Sequence, residues 1–275
     1  MEIDYPDFCL KHESTMLTTF KHFRFRIGLI AAFATAIASS SAADLESLRP
    51  LLTVENEIAM QTDFSTPAPL QRNEWIQRQG TRWAIEDGVL RGIPSTKEFQ
   101  DSKPNHKGYE ARVSLPATPH EFVARFSIRF IDGSETRIVP FVEFGHHVAR
   151  IKFSETGLSL VADGETVLLN ETKDFKYEPG RWYHLLAEMK DDEFVVQFAN
   201  GPTLYGRHTQ FKHPATKGGV GLGIAGPRGG MVELDNLTLW SVKEDVQPSW
   251  IATKSKLGIF NTRILKQKKK PTERP

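Results

Sequence analysis

The sequence is poor in cysteine and has almost no net charge. Its 275 residues include one cysteine, Cys9, so an intramolecular disulfide and a thiolate metal site are both excluded. The formal net charge of +1 gives no support to nucleic-acid binding. No Gly-x-Gly-x-x-Gly follows a predicted strand, and Gly-x-Ser-x-Gly is absent. These absences argue against a nucleotide-binding unit and a serine hydrolase.

The N-terminal part has the layout of a secretory signal. An apolar run at residues 27–38 is followed by small residues up to position 43, and a basic patch precedes it: Lys21, His22, Arg24 and Arg26. The run is shorter than the roughly 20 apolar residues that span a bilayer. We therefore predict a cleaved signal over residues 16–43, cut after Ala43 or Ala42. An uncleaved buried helix is the alternative.

The predicted signal determines what the mature chain contains. Met16 is a plausible start, which makes residues 1–15 an upstream extension that carries Cys9. The mature chain would then have no cysteine nucleophile. The expected localisation is secreted or periplasmic.

Short apolar segments alternate with turn signals through most of the chain. Residues 122–130 alternate with period 2, and Asp87-Gly88, Asp163-Gly164 and Asn200-Gly201 have the composition of hairpin turns. No long segment with helical period interrupts this pattern. The sequence therefore predicts an all-β fold, a two-sheet antiparallel β-sandwich. We place a lead-in at residues 44–57, the sandwich at 58–242, and a C-terminal helix and tail at 243–275.

The C-terminal tail is basic. Residues 249–259 are predicted to form a short helix on the sandwich, and the lysine-rich segment 266–275 follows it. This tail is either a solvated end or a weak contact to an anionic envelope surface.

Four segments resemble a known superfamily when they are taken in order. Residues 83–92 read W-A-I-E-D-G-V-L-R-G, and residues 180–185 read G-R-W-Y-H-L. Residues 194–201 form a strand that ends in Asn-Gly, and residues 218–223 lead to V-E-L-D-N-L at 232–237. Together they resemble the concanavalin A-like lectin/glucanase superfamily, and within it the bacterial secreted 3-keto-disaccharide hydrolase domain, often labelled family-16-like.

The resemblance implies a jelly-roll sandwich that handles carbohydrate, and it suggests catalytic positions. The hydrolase-like domains carry an Arg in one strand and a Glu-x-Gln strand after a glycine-rich loop. Arg129 and Glu143 occupy the corresponding strands here, but the Glu-x-Gln and its nearby Asp are missing. Arg129 and Glu143 are therefore the first pair of candidate catalytic residues.

A second candidate pair lies in the last predicted strand. Glu233 and Asp235 begin the Glu-x-Asp-x-x-Glu pattern that resembles the strand of family-16 glucanases, but Thr238 replaces the third carboxylate. Period 2 places Glu233 and Asp235 on one face of a sheet. They either share a catalytic site, as glycoside cleavage by two carboxylates requires, or bond neighbouring loop backbone.

The densest polar cluster in a strand region follows Phe141. It contains Glu143, His146, His147, Arg150 and Lys152. Because successive strand side chains diverge, the two histidines are not expected to share a metal in an extended segment, and no metal or cofactor is predicted. The cluster indicates either a saccharide-binding face, with Phe141 or Phe144 stacking on a sugar ring, or an ordinary solvated sheet face.

Arg228 lies in a glycine-rich segment, Gly226-Pro227-Arg228-Gly229-Gly230. The segment is predicted to be a loop before the last strand. Arg228 either closes over a ligand or belongs to a plain hairpin loop.

Three functions fit these patterns. The first is a non-catalytic carbohydrate-binding module with a saccharide as its partner. The second is a glycoside or 3-keto-disaccharide hydrolase. The third is a structural or interaction protein of the cell envelope, anchored by the basic tail.

Overall fold

The computed structural model describes residues 44–71, 73–132, 140–162, 166–213, 221–258 and 260–265. The predicted signal segment, the turn at 163–164 and the basic tail at 266–275 lie outside the described residues. The strands are β1 (Thr53–Thr62), β2 (Ile76–Gln77), β3 (Arg82–Glu86), β4 (Val89–Ile93), β5 (Glu110–Ser114), β6 (Phe122–Ile131), β7 (Phe141–Phe144), β8 (Ala149–Ser154), β9 (Gly157–Ala162), β10 (Val167–Thr172), β11 (Trp182–Lys190), β12 (Glu193–Phe198), β13 (Thr203–Arg207), β14 (Leu222–Arg228), β15 (Met231–Val246) and β16 (Arg263–Ile264).

The strands form two antiparallel sheets, which confirms the predicted two-sheet β-sandwich. The first sheet has the order β13-β12-β11-β6-β15-β4-β3, and β1 also pairs with β15. The second sheet has the order β16-β10-β9-β8-β7-β14-β5-β2. Helical structure in the described residues is short: a turn at residues 44–47, the helices Lys97–Ser102 and Trp250–Lys256, and a 3-10 turn at Thr209–Lys212.

Alternating apolar residues from both sheets form the core. Phe122 of the first sheet stacks on Phe144 of the second, with ring centroids 4.7 Å apart. Phe130 of the first sheet and Phe153 of the second meet edge to face, with ring centroids 5.1 Å apart. Such aromatic pairs stabilise a sandwich beyond the area that they bury. The core therefore separates the outer face of one sheet from the outer face of the other.

The predicted hairpin turn at Asp87-Gly88 has the backbone that its sequence requires. Asp87 and Gly88 both have positive φ, 52° and 75°, between β3 and β4. This is the geometry of a two-residue turn that matches strand twist. Asn200 has a φ of 54° at the end of β12. The short helix predicted at 249–259 is present as Trp250–Lys256.

Strand β1 begins, and strand β15 ends, away from its predicted position. β1 begins at Thr53, although residues 44–57 were expected to be a lead-in, and β15 continues to Val246. β1 is mostly exposed, so its sequence lacks the apolar alternation that marks a half-buried strand. It is a strand because its backbone pairs with β15.

The N-terminal segment and the C-terminal helix cover part of the outer face of the first sheet. Leu45 and Leu48 pack on Val123 and Leu186 in a small cluster separate from the main core. A second small cluster joins Leu52, Val195 and Trp250. Within the described residues, no helix is long and apolar enough to cross a membrane.

Candidate functional site

The outer face of the second sheet carries part of the predicted polar cluster. In β7 and β8, every second residue belongs to the core. The residues between them face outward, because strand side chains alternate between faces. These outward residues include Phe141, Glu143, Arg150 and Lys152, so three members of the predicted polar cluster share one surface with Phe141.

Strand register places these side chains in two rows across the sheet. One row consists of Ser114, Gly223, Glu143 and Arg150. The next consists of Arg112, Ala225, Phe141 and Lys152. The small residues of β14, Gly223 and Ala225, let side chains of the flanking strands β5 and β7 lie over this strand. A Cβ atom on Gly223 would lie 2.9 Å from Glu143 Cγ, so the position of the Glu143 side chain depends on the glycine.

An ion pair holds the centre of this surface in place. Arg150 Nε donates to Glu143 Oε2 at 2.8 Å, and an Arg150 terminal nitrogen lies 2.7 Å from the same oxygen. Glu143 and Arg150 are 8% and 7% exposed. Because water hardly reaches these two charges, each is stabilised mainly by the other. The charge-assisted pair therefore holds both side chains in one geometry.

Phe141 lies beneath two guanidinium groups. The guanidinium carbon of Arg150 is 4.4 Å from the ring centroid and that of Arg112 is 5.1 Å from it. Both distances are within the range of a cation–π contact. Phe141 is 6% exposed and Arg150 is 7% exposed, so Arg112, with 25% of its side chain exposed, is the most accessible of the three to a ligand. The expectation that Phe144 stacks on a sugar was wrong, because Phe144 points into the core and stacks on Phe122.

The two histidines lie in the turn that joins β7 to β8. Residues 145–148 form this turn, and His147 has a φ of 62°. The rings of His146 and His147 are 3.9 Å apart, since the chain is not extended there. They therefore lie at the end of the hairpin, whereas Lys152 lies further along β8. Among the described residues, no group of three or more His, Cys, Asp or Glu side chains could hold a metal.

Arg228 ends a strand, although it was expected in a loop. It is the last residue of β14 and pairs in register with Glu110 of β5. Its guanidinium carbon lies 4.0 Å from the ring centroid of Tyr109. The register between β14 and β5 shifts between Ala225 and Arg228, so strand alternation does not assign Arg228 to the polar surface described above.

The remaining candidate residues lie on the other sheet. Arg129 Nε donates to Glu233 Oε2 at 2.7 Å, and Arg91 Nε donates to Oε1 of the same carboxylate at 2.9 Å. Glu233 is 1% exposed. The Arg129 guanidinium also lies 4.6 Å from the ring centroid of Trp182. The proposed pairing of Arg129 with Glu143 was therefore wrong, because the core lies between them.

Glu233 and Asp235 do share one face, as their spacing predicted. Asp235 lies opposite Ser127 of β6, and its carboxylate accepts hydrogen bonds from the backbone and side-chain amides of Asn236 at 2.7 and 2.8 Å. Burial raises the pKa of Asp235. Ser127 Oγ lies 2.8 Å from His184 Nδ1, and burial lowers the pKa of His184. Asp235 is thus bonded to neighbouring amides, one of the two roles that its sequence suggested.

Several residues of these surfaces were not found from the sequence. Arg112 contributes to the second sheet, and Arg91 and Trp182 flank the Arg129–Glu233 pair. Period 2 in residues 110–114 would have placed Arg112 outward, but no sequence pattern shows which strand lies beside β7. Which strands become neighbours in a sheet depends on the tertiary fold.

A cavity next to β1 involves none of the predicted site residues. Its volume is about 800 Å³, and its walls include Met60, Phe64, Trp75 and Ile85. Phe64 and Trp75 are buried and belong to the main core cluster. This cavity is therefore an opening at the edge of the core.

The fold and the polar surface define a class, the two-sheet antiparallel β-sandwich of jelly-roll type. No protein-family model matches the sequence, and a comparison with characterised proteins found no match. Solved structures with a similar fold include the carbohydrate-binding module CBM66 from Bacillus subtilis, with 14% identity and a TM-score of 0.42 over 63% of this chain and 100% of that chain.

Two glucanases are also among the similar structures. SCLam, a non-specific endo-β-1,3(4)-glucanase from family GH16, has 9% identity and a TM-score of 0.46 over 73% of this chain and 99% of that chain. A β-1,3-glucanase from Mycobacterium marinum has 11% identity and a TM-score of 0.44 over 67% of this chain and 99% of that chain. At these identities and TM-scores, the similarities assign no activity to this chain.

Proposed function

We propose that the protein is an exported carbohydrate-binding module that holds a saccharide on the outer face of its second sheet without cleaving it. The observation that supports this most is the arrangement of Arg112 and Arg150 over Phe141, next to the small residues Gly223 and Ala225 of β14. Guanidinium groups offer several donors in a fixed plane, which suits a surface of hydroxyl oxygens. The sequence motifs that resemble concanavalin A-like lectins point to the same ligand class.

The geometry around the carboxylates supports binding over cleavage. Glycoside hydrolysis uses two carboxyl groups that flank the scissile bond. On this face, Glu143 accepts two contacts from Arg150, and Glu110 lies 3.9 Å from Arg112. Glu143 thereby positions Arg150 over Phe141. On the other sheet, Glu233 is enclosed by Arg91 and Arg129.

Binding is tested by a glycan array that compares the wild-type protein with Arg112→Glu. The substitution places a third carboxylate beside Glu110 and Glu143, so we expect the affinity for each bound glycan to fall by at least about tenfold. Arg207→Glu is the matched control, because Arg207 lies on the exposed edge strand of the other sheet and contacts Asp192. Equal binding by Arg112→Glu and wild type, with both folded, would contradict this location.

Cleavage is tested on the same glycans. Each glycan that binds, together with 3-keto-disaccharides, is incubated with wild-type protein and analysed by mass spectrometry. We expect no product beyond the buffer control. A product that disappears in Asp235→Asn would favour the hydrolase alternative.

A further inference from the structure

A small polar cavity lies on the outer face of the first sheet, on the opposite side of the sandwich from the proposed saccharide face. Its volume is about 320 Å³. Its floor is a single cross-strand row, in which Thr238 of β15 lies between Gln61 of β1 and Arg125 of β6. Ligand pockets start at about 300 Å³, so the cavity has room for one or two sugar rings.

The walls of the cavity are also polar. Glu46 of the N-terminal segment contacts Arg125 at 3.1 Å and forms one wall. Asp63 and Asn236 contribute to the others. Of the eight residues that line the cavity, only Leu45 is apolar. A cavity with this lining favours a polar ligand, whose hydrogen bonds to water can be replaced by hydrogen bonds to the protein.

Local backbone irregularity shapes the cavity. The register between β15 and β6 shifts between Asp235 and Thr238, and Asn236 within this bulge has a φ of 52°. Asparagine tolerates this left-handed conformation better than most residues. Bulges of this kind often re-aim side chains near functional sites. Here the bulge brings Asn236 to the rim of the cavity.

Two polar groups at the cavity have bonding capacity to spare. The Nε atom of Arg125 is buried and has no hydrogen-bond partner among the described residues. The Gln61 side chain is exposed and lies directly opposite Thr238. Unsatisfied buried donors are rare in folded proteins and call for a physical explanation.

The charges around the cavity limit the ligand class. Glu46 and Asp63 contribute two carboxylates, and Arg125 contributes one guanidinium. The Ser65 backbone amide donates to Asp63 Oδ1 at 3.0 Å, and this hydrogen bond lowers the pKa of Asp63. An anionic ligand would be repelled by the excess negative charge. A neutral ligand rich in hydroxyl groups fits both the charges and the donors.

We infer that this cavity is a second saccharide site, which takes a neutral mono- or disaccharide unit between the N-terminal segment and β1. With a first site on the opposite sheet, the protein would contact glycans on two sides. This second site uses none of the residues of the proposed first site, so each site can be tested alone.

The test titrates four neutral disaccharides by saturation-transfer NMR at millimolar concentration: cellobiose, lactose, trehalose and chitobiose. The full chain carries Arg112→Glu, so that the first face is disabled. We expect at least one disaccharide to bind this protein. Adding Gln61→Ala and Thr238→Val removes hydrogen-bonding groups from the floor and should weaken that binding by about tenfold.

Controls separate the site from a general loss of folding. Thr203→Val is the matched control, because Thr203 lies in β13 of the same sheet and away from the cavity. It should bind like its parent. If the combined variant is unfolded, Gln61→Ala alone decides the matter, because Gln61 is exposed and should lose about threefold in affinity. The inference is overturned if no disaccharide binds, or if the Gln61 variants bind as tightly as Thr203→Val.

Discussion

The environment of a single glycine shows how local packing supports the proposed binding face. At Gly92, the Trp83 indole occupies the space that a Cβ atom would need, with Cε2 only 2.5 Å from that position. Trp83 Nε1 donates to Thr81 Oγ1 and to the backbone oxygen of Arg112, both at 3.1 Å. Trp83 therefore links the first sheet to the strand that carries Arg112.

We expect Gly92→Ala to displace Trp83 and destabilise the protein by about 1–3 kcal/mol, the usual cost of overpacking a core. Urea unfolding monitored by fluorescence measures this change. Ala84→Thr, at an exposed position of β3, is the control and should stay within about 0.5 kcal/mol of wild type. An unchanged midpoint for Gly92→Ala would show that the indole has room to move.

Sequence reasoning at the residue scale found some of the polar residues and misplaced others. Period 2 placed Glu143, Arg150 and Lys152 on an outer face, because alternation is a local property of an extended chain. The same rule did not apply to His146 and His147, since these residues form a turn. Which residues become partners was not predictable, because Arg129 and Glu143 lie in strands of different sheets.

At the scale of elements, the C-terminal helix is joined to the sheet by one carboxylate. Glu193 of β12 accepts hydrogen bonds from Trp250 Nε1 at 2.9 Å and from Lys254 Nζ at 2.7 Å, and Tyr205 also donates to it. Burial alone would raise the pKa of Glu193, but the hydrogen bonds from Lys254, Tyr205 and Trp250 outweigh burial and lower it.

This lowered pKa predicts how the docking of the helix depends on pH. A carboxyl group whose pKa is lower in the folded protein stabilises it above the unfolded value of 4.5, and this contribution is lost as pH falls through the folded pKa. We expect Glu193→Gln to cost about 1 kcal/mol at neutral pH and progressively less below pH 4.5. Thermal unfolding of both proteins over this range measures the difference, and a constant difference at all pH values would contradict it.

Most strands were predictable because each carries its own signal of apolar alternation bounded by turns. The segment predicted at 122–130 is β6, Phe122–Ile131, and the strand predicted within 194–201 is β12, Glu193–Phe198. β1 was not predicted, because its residues are mostly exposed and its pairing with β15 is a tertiary contact. Apolar alternation along the sequence cannot reveal a strand that has no buried face.

At the scale of the whole molecule, the N-terminal segment is part of the folded body. Leu45 and Leu48 are buried against Val123 and Leu186. The Glu188 carboxylate, itself fully buried, accepts hydrogen bonds from the backbone amides of Leu51, Leu52 and Thr53 at 2.8 to 2.9 Å. The segment from Leu45 onward therefore packs on the first sheet and stabilises it.

We therefore expect the exported protein to begin at Asp44 or Ala43, just before this packed segment. Mass spectrometry of the protein recovered outside the cytoplasm measures its N-terminus. A variant with Ala43→Phe should accumulate as precursor, since a large side chain at the cleavage position blocks processing. Recovery of an exported chain that begins at Met1 or Met16 would contradict the predicted signal.

The sequence by itself determined the secondary structure of this protein in outline, its all-β class and the outward position of its polar strand residues. These properties depend on alternation and turn chemistry, which are local. Only the tertiary structure decided that Arg129 pairs with Glu233, and that Gln61, Thr238 and Arg125 line one cavity. Those contacts join strands far apart in the chain, and their positions are set by the order in which the strands pair.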